Sequence, residues 1–214
     1  MEKIALVTGA GCRVGKAIAE HLSRSGRYVW LHAFSHYSEA KALADSLGNA
    51  EAIRADLTKT AEIDRMFEKI RCSGKIPGVL VHNAAVFIRK PLLKMTVDEW
   101  DQTMDLNLKA AWYASRYFYQ ICPENSKILL IGDGNAERGF KKGAAYGISK
   151  YALAALTERL NAEMADKLSV YLLTPSYLIR SEYESEAFWD AKTNKETSAV
   201  PEFLSDLDRA LENY

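Results

Sequence analysis

Ile4-Ala-Leu-Val-Thr8-Gly9-Ala10-Gly11-Cys12-Arg13-Val14-Gly15 sets a short apolar run directly against a glycine-rich turn. Ile4 to Val7 read as a strand. Val14, Ala17, Ile18 and Leu22 then share one face of a helix spanning Val14 to Ser23. Glycine permits the tight turn between them and lets a bulky anion approach the backbone. The N–H groups near Val14, at the helix start, carry the positive end of the peptide dipoles. The turn therefore suits a pyrophosphate, with Gly9, Gly11, Arg13, Val14 and Gly15 as candidate contacts. The spacing is Gly-x-Gly-x-x-x-Gly, one residue longer than the dinucleotide fingerprint, and a purely structural turn would have the same composition.

Outward from this unit the chain keeps alternating. Strands are expected at Tyr28–His32, Ala52–Ala55, Val79–Val81, Ile128–Ile131 and Ser169–Leu173. Helices are expected at Ser38–Leu47, Ala61–Ile70 and Val97–Tyr119, and across Tyr146. Such alternation predicts an α/β fold: one Rossmann-type, doubly wound parallel sheet of six strands with helices on both faces. Ligands of these sheets bind beyond the strand C-terminal ends, at the point where strand order reverses. The chemistry-bearing residues below fall at those ends.

Composition sets the outer limits. The 214 residues fit one domain, 1–214, with a substantial core. Lys plus Arg and Asp plus Glu balance at 28 each, which gives no electrostatic reason to expect nucleic acid or an anionic membrane. Cys12, Cys72 and Cys122 lack metal-ligand spacing, so no metal site is expected. They suit reduced thiols in the cytoplasm. Met1-Glu2-Lys3 leads straight into an apolar strand, so neither a leader peptide nor a membrane span is expected.

After the second strand comes His32-Ala33-Phe34-Ser35-His36, with no carboxylate before Glu39. An NAD site usually places an acid there for the ribose 2′-hydroxyl. Arg13, His32, Ser35 and His36 could instead surround a 2′-phosphate, which favours NADPH; surface imidazoles would have the same composition. Asp56-Leu57 follows the third strand, where the carboxylate either meets an adenine amino group or caps the next turn. His82-Asn83-Ala84-Ala85 follows the fourth strand, and its small residues would let a flat ring lie against the backbone.

Asn107 interrupts an otherwise good helix, where its side chain competes with the backbone for hydrogen bonds. It is expected to hold a water or a lysine in place. Tyr146-Gly-Ile-Ser-Lys150 places a phenol and an ammonium one turn apart on one face. A nearby cation favours the phenolate, so the expectation is a lowered tyrosine pKa and a usable proton donor. Asp133 lies just past the Ile128 strand, where a loop could bring its carboxylate to the same cleft. A surface Tyr and Lys would share this spacing.

Thr8-Gly9, Gly15, Asn83-Ala84, Asn107, Tyr146-x-x-x-Lys150 and Pro175 after the sixth strand occur in order. Together they resemble the short-chain dehydrogenase/reductase family over residues 3 to 180. Two departures, Arg13 in place of a glycine and Asp133 in place of a serine, resemble its pteridine reductase and dihydromonapterin reductase-like members. The Glu137-Arg138-Gly139 segment adds to that likeness, and Phe87 falls where such relatives stack an aromatic ring on the pterin.

The resemblance implies catalysis by Asn107, Asp133, Tyr146 and Lys150. It implies NADPH contacts that extend to Asn83, Ala84, Lys150, Pro175 and Ser176. Substrate contacts are implied for Arg13, Phe87, Asp133 and Tyr146, with a covering segment at about 178–200. The implied reaction is NADPH-dependent hydride transfer to a pterin- or dihydrofolate-like small molecule. A carbonyl reductase or alcohol dehydrogenase is the first alternative, and a non-catalytic nucleotide-binding regulatory protein the second. Ala85 departs from the serine common in those relatives, and the family's last strand is absent: helical spacing over Pro201–Leu211 occupies its place. A homo-oligomer, dimer or tetramer, is expected through the helices at 97–119 and 144–165.

Overall fold

The computed structural model describes residues 3–134, 143–175, 178–179, 197–198 and 200–212. Its strands are β1 (Ile4–Thr8), β2 (Tyr28–Ala33), β3 (Ala50–Arg54), β4 (Val79–His82), β5 (Ser126–Ile131) and β6 (Leu168–Leu173). All pair in parallel, in the order β3-β2-β1-β4-β5-β6. The chain runs outward from β1 through β2 to β3, then crosses back to β4 and runs outward the other way. The reversal lies between the C-terminal ends of β1 and β4, where an open α/β sheet places its ligand cleft.

The helices are α1 (Arg13–Arg24), α2 (Tyr37–Leu47), α3 (Thr60–Ser73), α4 (Val97–Met104), α5 (Ala110–Ile121), α6 (Ala144–Met164) and α7 (Val200–Glu212). Successive side chains of a strand point to opposite faces, and here both faces are covered. Ile4, Leu6, Trp30 and Ile128 pack with Phe67 of α3, Phe118 of α5 and Leu153 of α6. Ala5, Val7, Leu31 and Leu129 pack with Ile18 and Leu22 of α1, Leu43 of α2 and Leu207 of α7. Every residue of β1, β2 and β4 is buried, as strands covered on both faces require. Truncating a ring such as Phe118 to alanine costs roughly 3–5 kcal/mol.

Two boundaries differ from expectation. The single helix expected at Val97–Tyr119 is divided by a π-helical turn over Asp105–Lys109. The extra residue in that turn leaves the helix continuous but rotates Asn107 inward, where it is 1% exposed. Strand β3 starts at Ala50 and ends at Arg54, one residue short of the expected Ala55. At the start of α4, Thr96 and Glu99 form the reciprocal capping box that a Thr-x-x-Glu pattern encodes. Short pairs at Leu178–Ile179 (β7) and Thr197–Ser198 (β8) fall within the expected covering segment. The rest of that segment, Ser176 and Glu137-Arg138-Gly139 lie outside the described residues.

Candidate active site

The cleft is built from the sheet reversal upward. Gly9 has φ +67°, a left-handed backbone that suits glycine. A Cβ on Gly15 would lie 2.0 Å from the Gly9 carbonyl oxygen, and one on Gly11 would lie 2.3 Å from that of His36. The turn is therefore closed so tightly that only glycine fits. Thr8 Oγ1 accepts from the backbone N–H of Asn83 and of Ala84, both at 3.0 Å. Asn83 Nδ2 donates back to the carbonyls of Thr8 and Gly9 at 3.1 and 3.2 Å. Thr8 and Asn83 thus lock the ends of β1 and β4 together beneath the turn. Above it, the start of α1 and the glycine backbone form a cradle that fits a dinucleotide pyrophosphate.

Arg13 is exposed and has φ +50°, a strained conformation for a residue with a side chain. Its charge acts on Tyr146, where it opposes the upward pKa shift described below.

Three residues expected at the nucleotide rim are placed otherwise. His32 is 2% exposed: its Nδ1 accepts from Gly9 N–H at 3.3 Å and its Nε2 donates to the Ala55 carbonyl at 2.9 Å. Burial lowers its pKa to about 4, so it is a neutral brace under the turn and not a phosphate ligand. The Leu57 side chain is buried in the core beside α3. Asp56 takes the capping alternative, accepting from Thr58 N–H and Oγ1–H at 3.1 and 2.7 Å and pairing with Lys59 at 3.2 Å. Ser35 is exposed at the end of β2, and His36 Nδ1 lies 3.3 Å from Glu39 Oε1.

The other end of the cleft converges as expected. Tyr146 O–H donates to Asp133 Oδ2 at 3.1 Å. Lys150, one turn along α6, is 6% exposed and donates to the Ile131 carbonyl at 2.7 Å, with Nζ 5.5 Å from the Tyr146 ring centroid. Asn107 accepts from Val86 N–H at 2.8 Å and donates to the Val86 carbonyl and Ser149 Oγ, both at 3.0 Å. Asn107 thus clamps the loop after β4 to α6, one residue before Lys150. Ser149 was not singled out in the sequence; its place beside Lys150 was the only available signal. Gly134 N–H donates to the Pro175 carbonyl at 2.9 Å, tying the Asp133 loop to the end of β6.

The expected lowering of the Tyr146 pKa is not what the structure shows. Burial first, and then the Asp133 carboxylate as charge and acceptor, push it well above the ordinary phenol range. Burial also pulls Lys150 down to about 8, against the attraction of Asp133. Sequence spacing registers the neighbouring cation but not the desolvation that outweighs it.

Phe87 is 39% exposed and meets Tyr146 edge to face, with centroids 4.7 Å apart. The Arg89 guanidinium lies 5.5 Å from the same ring. A Cβ on Gly143 would fall 2.4 Å from Phe87, so the start of α6 closes against this wall. Ala85 is exposed beside it. Among the described residues no group of three His, Cys, Asp or Glu could hold a metal, and no helix is long and apolar enough to cross a membrane.

The chain is similar to known proteins. Hydroxynaphthalene reductase-like protein Arp2 of Metarhizium robertsii is 29% identical over 193 residues, 87% of this chain and 72% of the relative. The 3-oxoacyl-acyl-carrier-protein reductase FabG of Escherichia coli is 31% identical over 180 residues, covering 82% of this chain and 73% of FabG. Among solved structures, a metagenomic blue fluorescent protein in complex with NADPH superposes with a TM-score of 0.87 at 25% identity, covering 96% of this chain and 89% of that one. An angucycline C-6 ketoreductase with bound NADP superposes with the same TM-score at 22% identity, over 96% and 87% of the two chains, and shows the shared fold. The family description for short chain dehydrogenase matches residues 3–188; the chain belongs to that family.

Proposed function

We infer that the protein is an NADPH-dependent reductase whose substrate is a flat nitrogen heterocycle of the pterin or dihydrofolate kind. The bond from Tyr146 to Asp133, beside buried Lys150, carries this reading. NADPH follows from the glycine cradle, the lack of an acid at the end of β2, and the NADPH seen in the blue fluorescent protein. Gly9, Gly11, Val14, Gly15 and the segment at Asn83-Ala84 line its path, with Pro175 beside the nicotinamide end. The nicotinamide supplies the hydride.

The chain's own residues then manage protons and position. Tyr146 gives its hydroxyl proton to the ring nitrogen as the neighbouring carbon is reduced. The raised tyrosine pKa means that phenolate must be stabilised as it forms. The Lys150 ammonium does this by charge, while the Asp133 carboxylate, which accepts the phenol hydrogen bond, can also accept from a ring N–H of the heterocycle. A serine at 133 would put a neutral hydroxyl in place of that carboxylate. Against a ketone, the same carboxylate would face a developing oxyanion in a low-dielectric cleft, which is unfavourable. Asn107 fixes the depth of Lys150 by holding Ser149. Phe87 walls the ring pocket opposite the nicotinamide, and Arg13 closes its mouth.

A ketone substrate is the second reading, because the 3-oxoacyl relative is named for reduction of an oxo group. Parallel kinetics with NADPH on a dihydropterin and on a diketone separate the two. Turnover of the pterin supports the first; turnover of the diketone alone replaces it with the second. NADPH binding without turnover of any acceptor would indicate a regulatory protein instead.

Lys150 makes a pH prediction. Its folded pKa of about 8 lies below the ordinary 10.5, so the ammonium is present below pH 8 and lost above it. Rate should fall as pH rises through about 8. Over the same range the unfolded chain binds the extra proton, so the contribution of Lys150 to stability rises. Opposite trends in turnover and melting temperature are therefore expected from pH 8 to 10. Lys150→Arg should move the falling limb to higher pH.

The expected homo-oligomer has a candidate surface: Trp112, Ile148 and Tyr151 on α5 and α6 are 44%, 43% and 51% exposed, a concentration of apolar area suited to a second copy. Sedimentation as a monomer at micromolar concentration would remove that assignment.

A further inference from the structure

We propose that Arg54, at the end of β3 and stacked on Phe34, is the residue that selects the 2′-phosphate of NADPH. The inference rests on the dinucleotide reading above. In a doubly wound sheet the adenosine half of the cofactor lies over the strands on the β1 side of the reversal, and its ribose 2′-position sits at the end of β2. A phosphate dianion there needs a cation.

The residues of the β2 end do not supply it. His32 is buried, neutral and bonded to main chain on both ring nitrogens. His36 shares its exposed imidazole with the Glu39 carboxylate. Arg13 does not lie on β2 or β3: it opens α1 in the glycine turn, on the pyrophosphate side of the cradle.

The neighbouring strand does supply one. Arg54 pairs in register with Ala33, the last residue of β2, which brings it alongside Phe34 and Ser35. Its side chain is exposed, and its guanidinium carbon sits 5.5 Å from the Phe34 ring centroid. Phe34 is itself 44% exposed, an apolar ring held at a strand end for which the core has no use. No carboxylate among the described residues pairs with Arg54, although most basic side chains of α1 to α3 are paired with an acid. Stacking on an aromatic face keeps a guanidinium flat and extended while its N–H fork remains available. That fork can engage two phosphate oxygens at once. Phe34 at the same time offers a ring face beside the adenine.

The test is a fluorescence titration of NADPH and of NADH into wild type, Arg54→Ala and Phe34→Ala, with melting curves to confirm folding. Both side chains are exposed, so all three proteins should fold. Arg54→Ala should weaken NADPH about 10- to 100-fold, the scale for losing a charge-assisted phosphate contact, and leave NADH within about 2-fold. Phe34→Ala should give a smaller loss of the same sign. An unchanged NADPH dissociation constant in Arg54→Ala overturns the proposal. An equal loss for both nucleotides also overturns it, because the contact would then be to adenine. If wild type binds neither nucleotide, the cofactor reading itself fails. If wild type prefers NADPH and Arg54→Ala keeps that preference, only Arg54 is misassigned.

Discussion

Tyr146→Phe should lower turnover at least ~10²-fold, the scale of general acid catalysis, while leaving NADPH affinity nearly unchanged. The hydroxyl donates to Asp133 Oδ2, and its removal keeps the ring that meets Phe87 edge to face. The variant leaves the half-buried Asp133 carboxylate without that donor, a modest stability cost of about 1 kcal/mol. Substrate KM should move less than kcat, because the proton is transferred only in the transition state. Steady-state kinetics with a pterin, beside a nucleotide titration, checks both halves. Near-normal turnover would mean that another group delivers the proton.

Gly15→Ala should weaken nucleotide binding roughly 10²-fold. The added methyl would sit 2.0 Å from the Gly9 carbonyl oxygen and 2.6 Å from Asn83 Nδ2. The first is rigid backbone and the second is half of the latch between β1 and β4, so neither can yield without opening the turn. Overpacking of this kind costs about 3 kcal/mol, roughly 10²-fold in affinity if expressed in the bound state. A melting curve and an NADPH titration should both shift. Unaltered affinity would show that the cradle is not where the pyrophosphate sits.

Much of this was legible in the sequence, for identifiable reasons. The sheet followed from strand–helix alternation, because parallel strands buried on both faces read as apolar runs between helical periods. Asn107 stood out as a polar residue inside an apolar helix, but the π-helical turn that rotates it inward has no spacing signature. Tyr146 and Lys150 were readable as a pair because one helical turn separates them. Their pKa directions were not, because desolvation depends on packing that no local pattern records. His32 was misplaced for a related reason. In a central strand with every residue buried, a histidine two residues before the exposed Phe34 still faces inward. Arg54 was overlooked because a charge at a strand end reads as ordinary solvated surface. Only its register beside Ala33 gives it meaning.

The central claim is that Asp133, by its bond to Tyr146, suits this cleft to a nitrogen heterocycle. Its most direct test is the ratio of kcat/KM for a dihydropterin to that for a diketone, measured with NADPH in wild type and in Asp133→Ser. The serine keeps a hydroxyl beside Tyr146 but removes the carboxylate, so the ratio should fall at least ~10-fold, through slower pterin and equal or faster diketone reduction. An unchanged ratio, or a loss shared equally by both substrates, would contradict the claim.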